Sequence, residues 1–261
     1  TAFMSGLQAL ARIPIVQRRR DIAGGLNTAG YISGYRGSPL GNFDRELWRA
    51  QKYYDELSIK FQAGVNEDLA ATAVWGTQQV GLFPGRAKAD GVFGIWYGKS
   101  PGVDRSGDVM RHASANGTAP LGGVLAIVGD DHGCKSSTLP CQSDHILYAM
   151  QIPTLYPASI QEYVEYGLLG IAMSRYSGCW TALKVTSETV ETSGTVELDR
   201  ESREIFIPTT EEFKMPPGGL HIRLGDTPRE IDWRLQNYKL FAARTFARVN
   251  HIDRVVFDSP K

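Results

Sequence analysis

The sequence predicts a doubly wound α/β domain, a mostly parallel sheet with helices on both faces. Three observations carry that expectation. Short apolar runs alternate with helical stretches about six times before residue 190 or so. Several of these runs are continuously apolar rather than alternating, as befits parallel strands covered on both sides. The 28 glycines among 261 residues exceed the ~7% usual share and fall at the ends of the runs.

The first helix is signalled by Ser5 and Gln8 at capping-box spacing and runs toward Gly24–Gly25, with a kink expected at Pro14. Thr28–Tyr35 reads as the first strand of the sheet. Ser38–Pro39 reads as an N-cap followed by proline at the first helical position, with Leu40, Phe43, Leu47 and Tyr54 behind it at helical spacing. Ile59–Gln62 is a short strand, and a helix follows Asn66 with Leu69, Ala73, Thr77 and Val80 on one face. Gly91–Tyr97, Gly123–Val128, Ile152–Tyr156 and Trp180–Val185 complete the strands. Ser159 and Glu162 cap the helix between the last two.

After Val190 the texture changes. Glu191–Phe213 is charged and Thr-rich, and Met215–Gly219 interrupts regular structure. Thr227, Pro228 and Glu230 then announce a final helix striped by Leu235, Tyr238, Ala242, Phe246 and Val249. Residues 254–261 form a strand-like run ending in a turn. We divide the chain accordingly into an α/β domain, 1–190, and an extension, 191–261, with a linker and a helix leading to the next domain.

Composition excludes several functions. With 28 Lys+Arg against 28 Asp+Glu, no basic field gathers nucleic acid or an acidic membrane. No apolar run approaches the ~20 residues that span a bilayer. Three cysteines close no disulfide framework and supply no four-thiolate iron–sulfur cluster. Cys134 and Cys141 are too far apart for a redox CxxC. All three read as thiols in a reducing compartment. With no signal peptide after Thr1, the cytoplasm is the expected location.

In a doubly wound sheet, chemistry belongs to the loops at the carboxyl ends of the strands. Gly98-Lys99-Ser100 follows an apolar strand, but a P-loop needs a glycine at position 93, which is Phe93. A glycine-rich strand exit with a solvated lysine fits better than a nucleotide site. The Gly34-x-x-Gly37-x-x-x-Gly41 run has the wrong spacing for a dinucleotide fingerprint. In Tyr35–Pro39, Ser38 either caps a helix or, with Arg36, receives a small carboxylate at the helix N-terminus. Glu67 stands where acidic residues complement a helix dipole. Gly129–Gly133 offers Asp130, Asp131 and His132 as a polar strand exit or as metal ligands, and no further ligand spacing supports a metal. His112 and His145 are isolated.

Taken in order, GYRGSPLG, VNEDLAATAVWG and GDDHGCKSSTLP resemble the pyrimidine-binding domain of thiamine-dependent 2-oxoacid:ferredoxin oxidoreductases, in particular the long, fused indolepyruvate ferredoxin oxidoreductases. The likeness covers most of residues 3–190. It implies that Gly37, Ser38 and Pro39 meet the cofactor, that the Ser38 hydroxyl contacts cofactor or 2-oxoacid, and that Arg36 is the candidate for the substrate carboxylate. It also implies that Asn66 and Glu67 bind the aminopyrimidine, with the Glu67 carboxyl on a ring nitrogen as the catalytic group. Thiamine diphosphate is the implied cofactor, with oxidative decarboxylation to an acyl-CoA as the reaction. The implied partners are a 2-oxoacid, coenzyme A and ferredoxin, with no nucleic acid and no membrane. The arginine that pyruvate-type members use has no equivalent near Tyr148–Gln151. The GDG…N motif that binds diphosphate and Mg²⁺ is missing, as is any cluster-binding cysteine segment. No metal site is therefore assigned to this chain. Mg²⁺, the iron–sulfur clusters and a diphosphate-binding domain are expected elsewhere in the polypeptide or in a second protomer, which favours a dimer. A P-loop-like nucleotide enzyme and a catalytically silent assembly domain are the alternatives.

Overall fold

A computed structural model describes every residue except Pro84, Arg86, Thr138, Val256, Pro260 and Lys261. The chain opens with β1 (Ala2–Ser5) and α1 (Gly6–Ala23), then β2 (Thr28–Gly34). Two short helices, α2 (Phe43–Arg49) and α3 (Gln51–Glu56), lead to β3 (Ile59–Phe61). α4 (Glu67–Thr77) precedes β4 (Gly91–Lys99), and α5 (Ser100–Arg105) and α6 (Gly107–Asn116) precede β5 (Val124–Asp130). α7 (Asp144–Ala149), β6 (Thr154–Leu155), α8 (Ile160–Ser177) and β7 (Thr181–Thr186) complete the main layer. α9 (Ser187–Val190), β8 (Ser193–Val196), α10 (Pro228–Arg234) and α11 (Leu240–Val249) follow.

All six runs expected as strands enter one sheet, in the order β3-β2-β4-β5-β7-β6. Every neighbour pair is parallel. The continuous apolar character of the central strands has its reason in two cores that alternate along them. Phe93, Ile95 and Tyr97 of β4, with Leu125 and Ile127 of β5, face the core built on α1 and α8. Trp96 with Val124, Ala126 and Val128 faces the opposite core, which holds Val74 of α4, Met110 of α6 and Leu147 of α7. A period of two with both faces dry makes nearly every residue apolar.

The capping box at Ser5 and Gln8 forms, and α1 runs through Pro14 to a C-cap at Gly24, as expected. Burial of Ile13, Pro14 and Ile15 compensates the hydrogen bond missing at Pro14. Several local expectations need correction. Ser38 caps no helix. The Ser38–Pro39 bond is cis, and α2 starts only at Phe43, after an Asn42 that makes no side-chain cap. At Ser159 the hydroxyl accepts from the Glu162 amide, while the Glu162 carboxylate turns to the Ala158 amide at 2.7 Å. The small antiparallel sheet of β1 and β8 was not expected. Each of its strands has four residues, too short for an alternating pattern to stand out.

The Thr227–Glu230 capping box is present, and its helix passes through a π turn at Leu235–Lys239 into α11. Ala242, Ala243 and Phe246 join the core of α1 and α8. In the run 254–261, the described residues Arg254, Val255 and Phe257–Ser259 lie outside any strand, and the rest falls outside the described residues. None of the described helices is long and apolar enough to cross a membrane.

Candidate active site at the exit of the fourth strand

Parallel pairing brings the carboxyl ends of β2, β3, β4 and β5 to one edge, and the singled-out loops gather there. The loop after β2 folds back over its neighbours. Tyr35 donates its amide to the Tyr97 carbonyl at 3.0 Å. A Cβ on Gly37 would lie 3.3 Å from the Lys99 Cβ, and one on Gly129 would lie 2.9 Å from the Pro39 Cδ. The Gly37–Pro39 segment thus rests on the ends of β4 and β5. The Ser38 hydroxyl is buried and has no hydrogen-bond partner. Arg36 on the same loop is exposed, and among the described residues it makes no hydrogen bond or ion pair.

The loop after β3 meets the first loop where the Gly64 amide donates to the Gly34 carbonyl at 2.8 Å. Asn66 caps α4 by accepting from the Leu69 amide at 2.8 Å. Glu67 is therefore the first residue of the helix, half-buried. Its carbonyl accepts from the Trp96 indole at 3.0 Å. Its side chain lies against α5: a Cβ on Gly102 would come within 2.5 Å of the Glu67 Cγ and 2.9 Å of its Oε1. Both loops therefore converge on one short stretch, from Trp96 to Gly102. Trp96 and Gly102 were not singled out as site residues, because a buried tryptophan and a helical glycine look the same in sequence whatever they touch.

The lysine of the Gly98-Lys99-Ser100 run is not solvated, as the sequence led us to expect; it is only 4% exposed. Its ammonium donates to Asp131 Oδ2 at 3.0 Å, Ser136 Oγ at 3.0 Å and Ser137 Oγ at 3.3 Å, and also to the Ser136 carbonyl. Asp131 accepts from the Lys135 and Ser136 amides as well, each at 3.1 Å. Burial works against its charge, but these hydrogen bonds and the Lys99 ammonium outweigh it and hold the carboxyl down at about 2. Asp130 accepts from the Ser100 hydroxyl and the Ser143 amide and pairs with Lys184 at 3.3 Å. Lys184 in turn pairs with Asp144 at 2.6 Å. Both aspartates are thus committed to lysines from the flanking strands. Among the described residues no cluster of three or more His, Cys, Asp or Glu is arranged to hold a metal.

A cavity of about 770 Å³ lies elsewhere, along β6, walled by Tyr148, Tyr156, Leu240 and Arg244. None of the loops converging on the end of β4 lines that cavity.

The six-stranded parallel sheet, with a hydroxyl-bearing loop and a glutamate at its carboxyl edge, is a doubly wound α/β fold. Among solved structures the chain is similar to a 2-oxoglutarate:ferredoxin oxidoreductase from Magnetococcus marinus with 2-oxoglutarate, coenzyme A and succinyl-CoA bound, with a TM-score of 0.63 and 13% identity. The match covers 95% of this chain and 45% of that one, so the chain spans under half of its length. At that identity the likeness shows the fold. No family model and no curated protein matches the sequence.

Proposed function

We propose that the chain is the pyrimidine-binding half of a thiamine-diphosphate-dependent 2-oxoacid:ferredoxin oxidoreductase, of the indolepyruvate-like kind. Residues 1–190 would be the binding domain and 191–261 the extension. The observation that carries this reading is the pairing of an acid and an orphan. The half-buried Glu67 is positioned by Asn66, Trp96 and Gly102, near a loop that buries the unpartnered Ser38 hydroxyl. An orphaned buried hydroxyl costs stability unless a ligand satisfies it.

Glu67 would hold a proton between its carboxyl and a ring nitrogen of the aminopyrimidine. Gly37, Pro39 and Asn66 would shape the surface against the cofactor, the Ser38 hydroxyl would bond cofactor or substrate, and Arg36 would receive the 2-oxoacid carboxylate. Lys99 and Lys184 are spent on internal carboxylates, whereas Arg36 is exposed and makes no ion pair among the described residues. When bound, thiamine diphosphate supplies the electron sink that loss of CO₂ from a 2-oxoacid requires. The diphosphate-binding domain, Mg²⁺ and the iron–sulfur clusters would lie in the rest of the polypeptide or in a second protomer, with coenzyme A and ferredoxin as co-substrate and electron acceptor. The buried ion pair of Lys99 speaks against the nucleotide alternative, since a P-loop lysine must reach a phosphate.

The test is Glu67→Gln in the complete enzyme, assayed for ferredoxin reduction with indolepyruvate and with 2-oxoglutarate. Activity is expected to vanish while the thermal midpoint holds. Substantial retained turnover would sink the reading and favour a silent assembly domain.

A further inference from the structure

We propose that Lys99 is a positioning residue whose stem floors the loop carrying Ser38 and whose ammonium fixes the turn Asp131–Ser137 as a second wall of the site. What the site binds rests on the reading above; the coupling of the two loops rests on geometry alone.

A buried ammonium at a strand end is an expensive way to fill space, and an apolar side chain would pack there at no electrostatic cost. Lys99 is instead surrounded by acceptors that all come from one turn: Asp131, the hydroxyl and carbonyl of Ser136, and the hydroxyl of Ser137. The turn closes the arrangement by donating the Lys135 and Ser136 amides back to the Asp131 carboxylate. The turn is wound about the ion pair. At the other end of the same side chain, Gly37 sits on the Lys99 Cβ and Cδ, at 3.3 and 3.7 Å from the place of a Cβ. Gly129, two residues before the turn, carries Pro39 and Leu40. One side chain therefore touches both loops, while Glu67 stands apart against Gly102.

Two readouts in the complete polypeptide test this. Lys99→Met keeps an unbranched stem under Gly37 and removes the charge. The double variant Lys99→Met/Asp131→Asn also removes the stranded carboxylate, and so keeps the test open if the single variant misfolds. In either variant the Lys135 and Ser136 amides are expected to exchange hydrogen about tenfold faster, with Ile32 and Ile127 still protected. Lys99→Ala, which lacks the stem, should extend that gain to Leu40. In steady-state assays with indolepyruvate or 2-oxoglutarate, Lys99→Met should raise KM about tenfold and leave kcat within about twofold. Unchanged exchange at 135 and 136, or an Ala variant in which Leu40 stays protected, would overturn the coupling. A fall in kcat at constant KM would overturn the positioning role. If Glu67→Gln retains activity, the cofactor reading fails, and the exchange result still decides whether Lys99 joins the loops.

Discussion

Gly102 shows how much one missing carbon decides at this edge. Its Cα faces the Glu67 side chain so closely that a methyl group would overlap it. Alanine is the better helix former by about 1 kcal/mol, and the side chain in the way is a flexible one. Gly102→Ala is therefore expected to fold with an unchanged or higher thermal midpoint and to push the Glu67 carboxyl aside. On the proposed function, ferredoxin reduction by the complete enzyme should drop at least about tenfold, which corresponds to about 1.4 kcal/mol of barrier. Full activity at an unchanged midpoint would mean that Glu67 does not need its present place. The loop sequence YRGSP puts the Ser38 hydroxyl two residues from the Arg36 cation in the chain. That Ser38 is an orphan rather than a cap depends on where the helix begins, and this is settled by the packing of Pro39 and Leu40 against Gly129.

At the scale of elements, α4 is the support that aims the acid. Its start is set by Asn66, whose side chain accepts from the Leu69 amide, so Glu67 is held at the first helical position, where the free N–H groups favour a carboxylate. Asn66→Ala is expected to cost about 1 kcal/mol of stability and to lower activity more than its stability loss explains. Asn66→Asp, which keeps the accepting oxygen, should restore stability. Chemical unfolding read beside turnover would check this, and an Ala variant with wild-type stability would show that the cap is idle. The helices with capping boxes, α1 and α10, were legible because their signals are local. The helical spacing of Phe43, Leu47 and Tyr54 was legible in α2 and α3 too, but the break at Ala50 and the late start at Phe43 were not, having no strong stop or cap residue to mark them.

Across the whole molecule, Lys239 ties the C-terminal helices to the body. It is 1% exposed, and its ammonium donates to the Ala115 carbonyl at 2.6 Å, at the end of α6. Burial pulls it down to about 8 from its ordinary 10.5. The unfolded chain then binds more protons than the native one between these values, so this group makes stability rise with pH across that window. Below pH 8 both states carry the charge, and the native state bears the full penalty. Lys239→Met should flatten that rise, as the difference between wild-type and variant unfolding free energies at pH 7.5 and 9.5 would reveal. Parallel slopes would refute it. The variant also tests the division at residue 190, because Lys239 belongs to the extension and its acceptors to the α/β domain.

By itself the sequence determined the layer type, the six strands and the order of the three loops, because continuous apolar runs bounded by glycine carry that pattern locally. It also placed Ser38, Asn66 and Glu67 at strand ends. Only the tertiary structure decided which strands are neighbours, and from that, which loops meet. With β4 between β2 and β5, Glu67 falls against Gly102, Gly37 falls on Lys99, and Asp130 and Asp131 find lysines from opposite sides. Those contacts join residues 32 or more positions apart, and a buried ion pair and a solvated one are spelled with the same letters. Burial is a property of the neighbours, and the neighbours come from the fold.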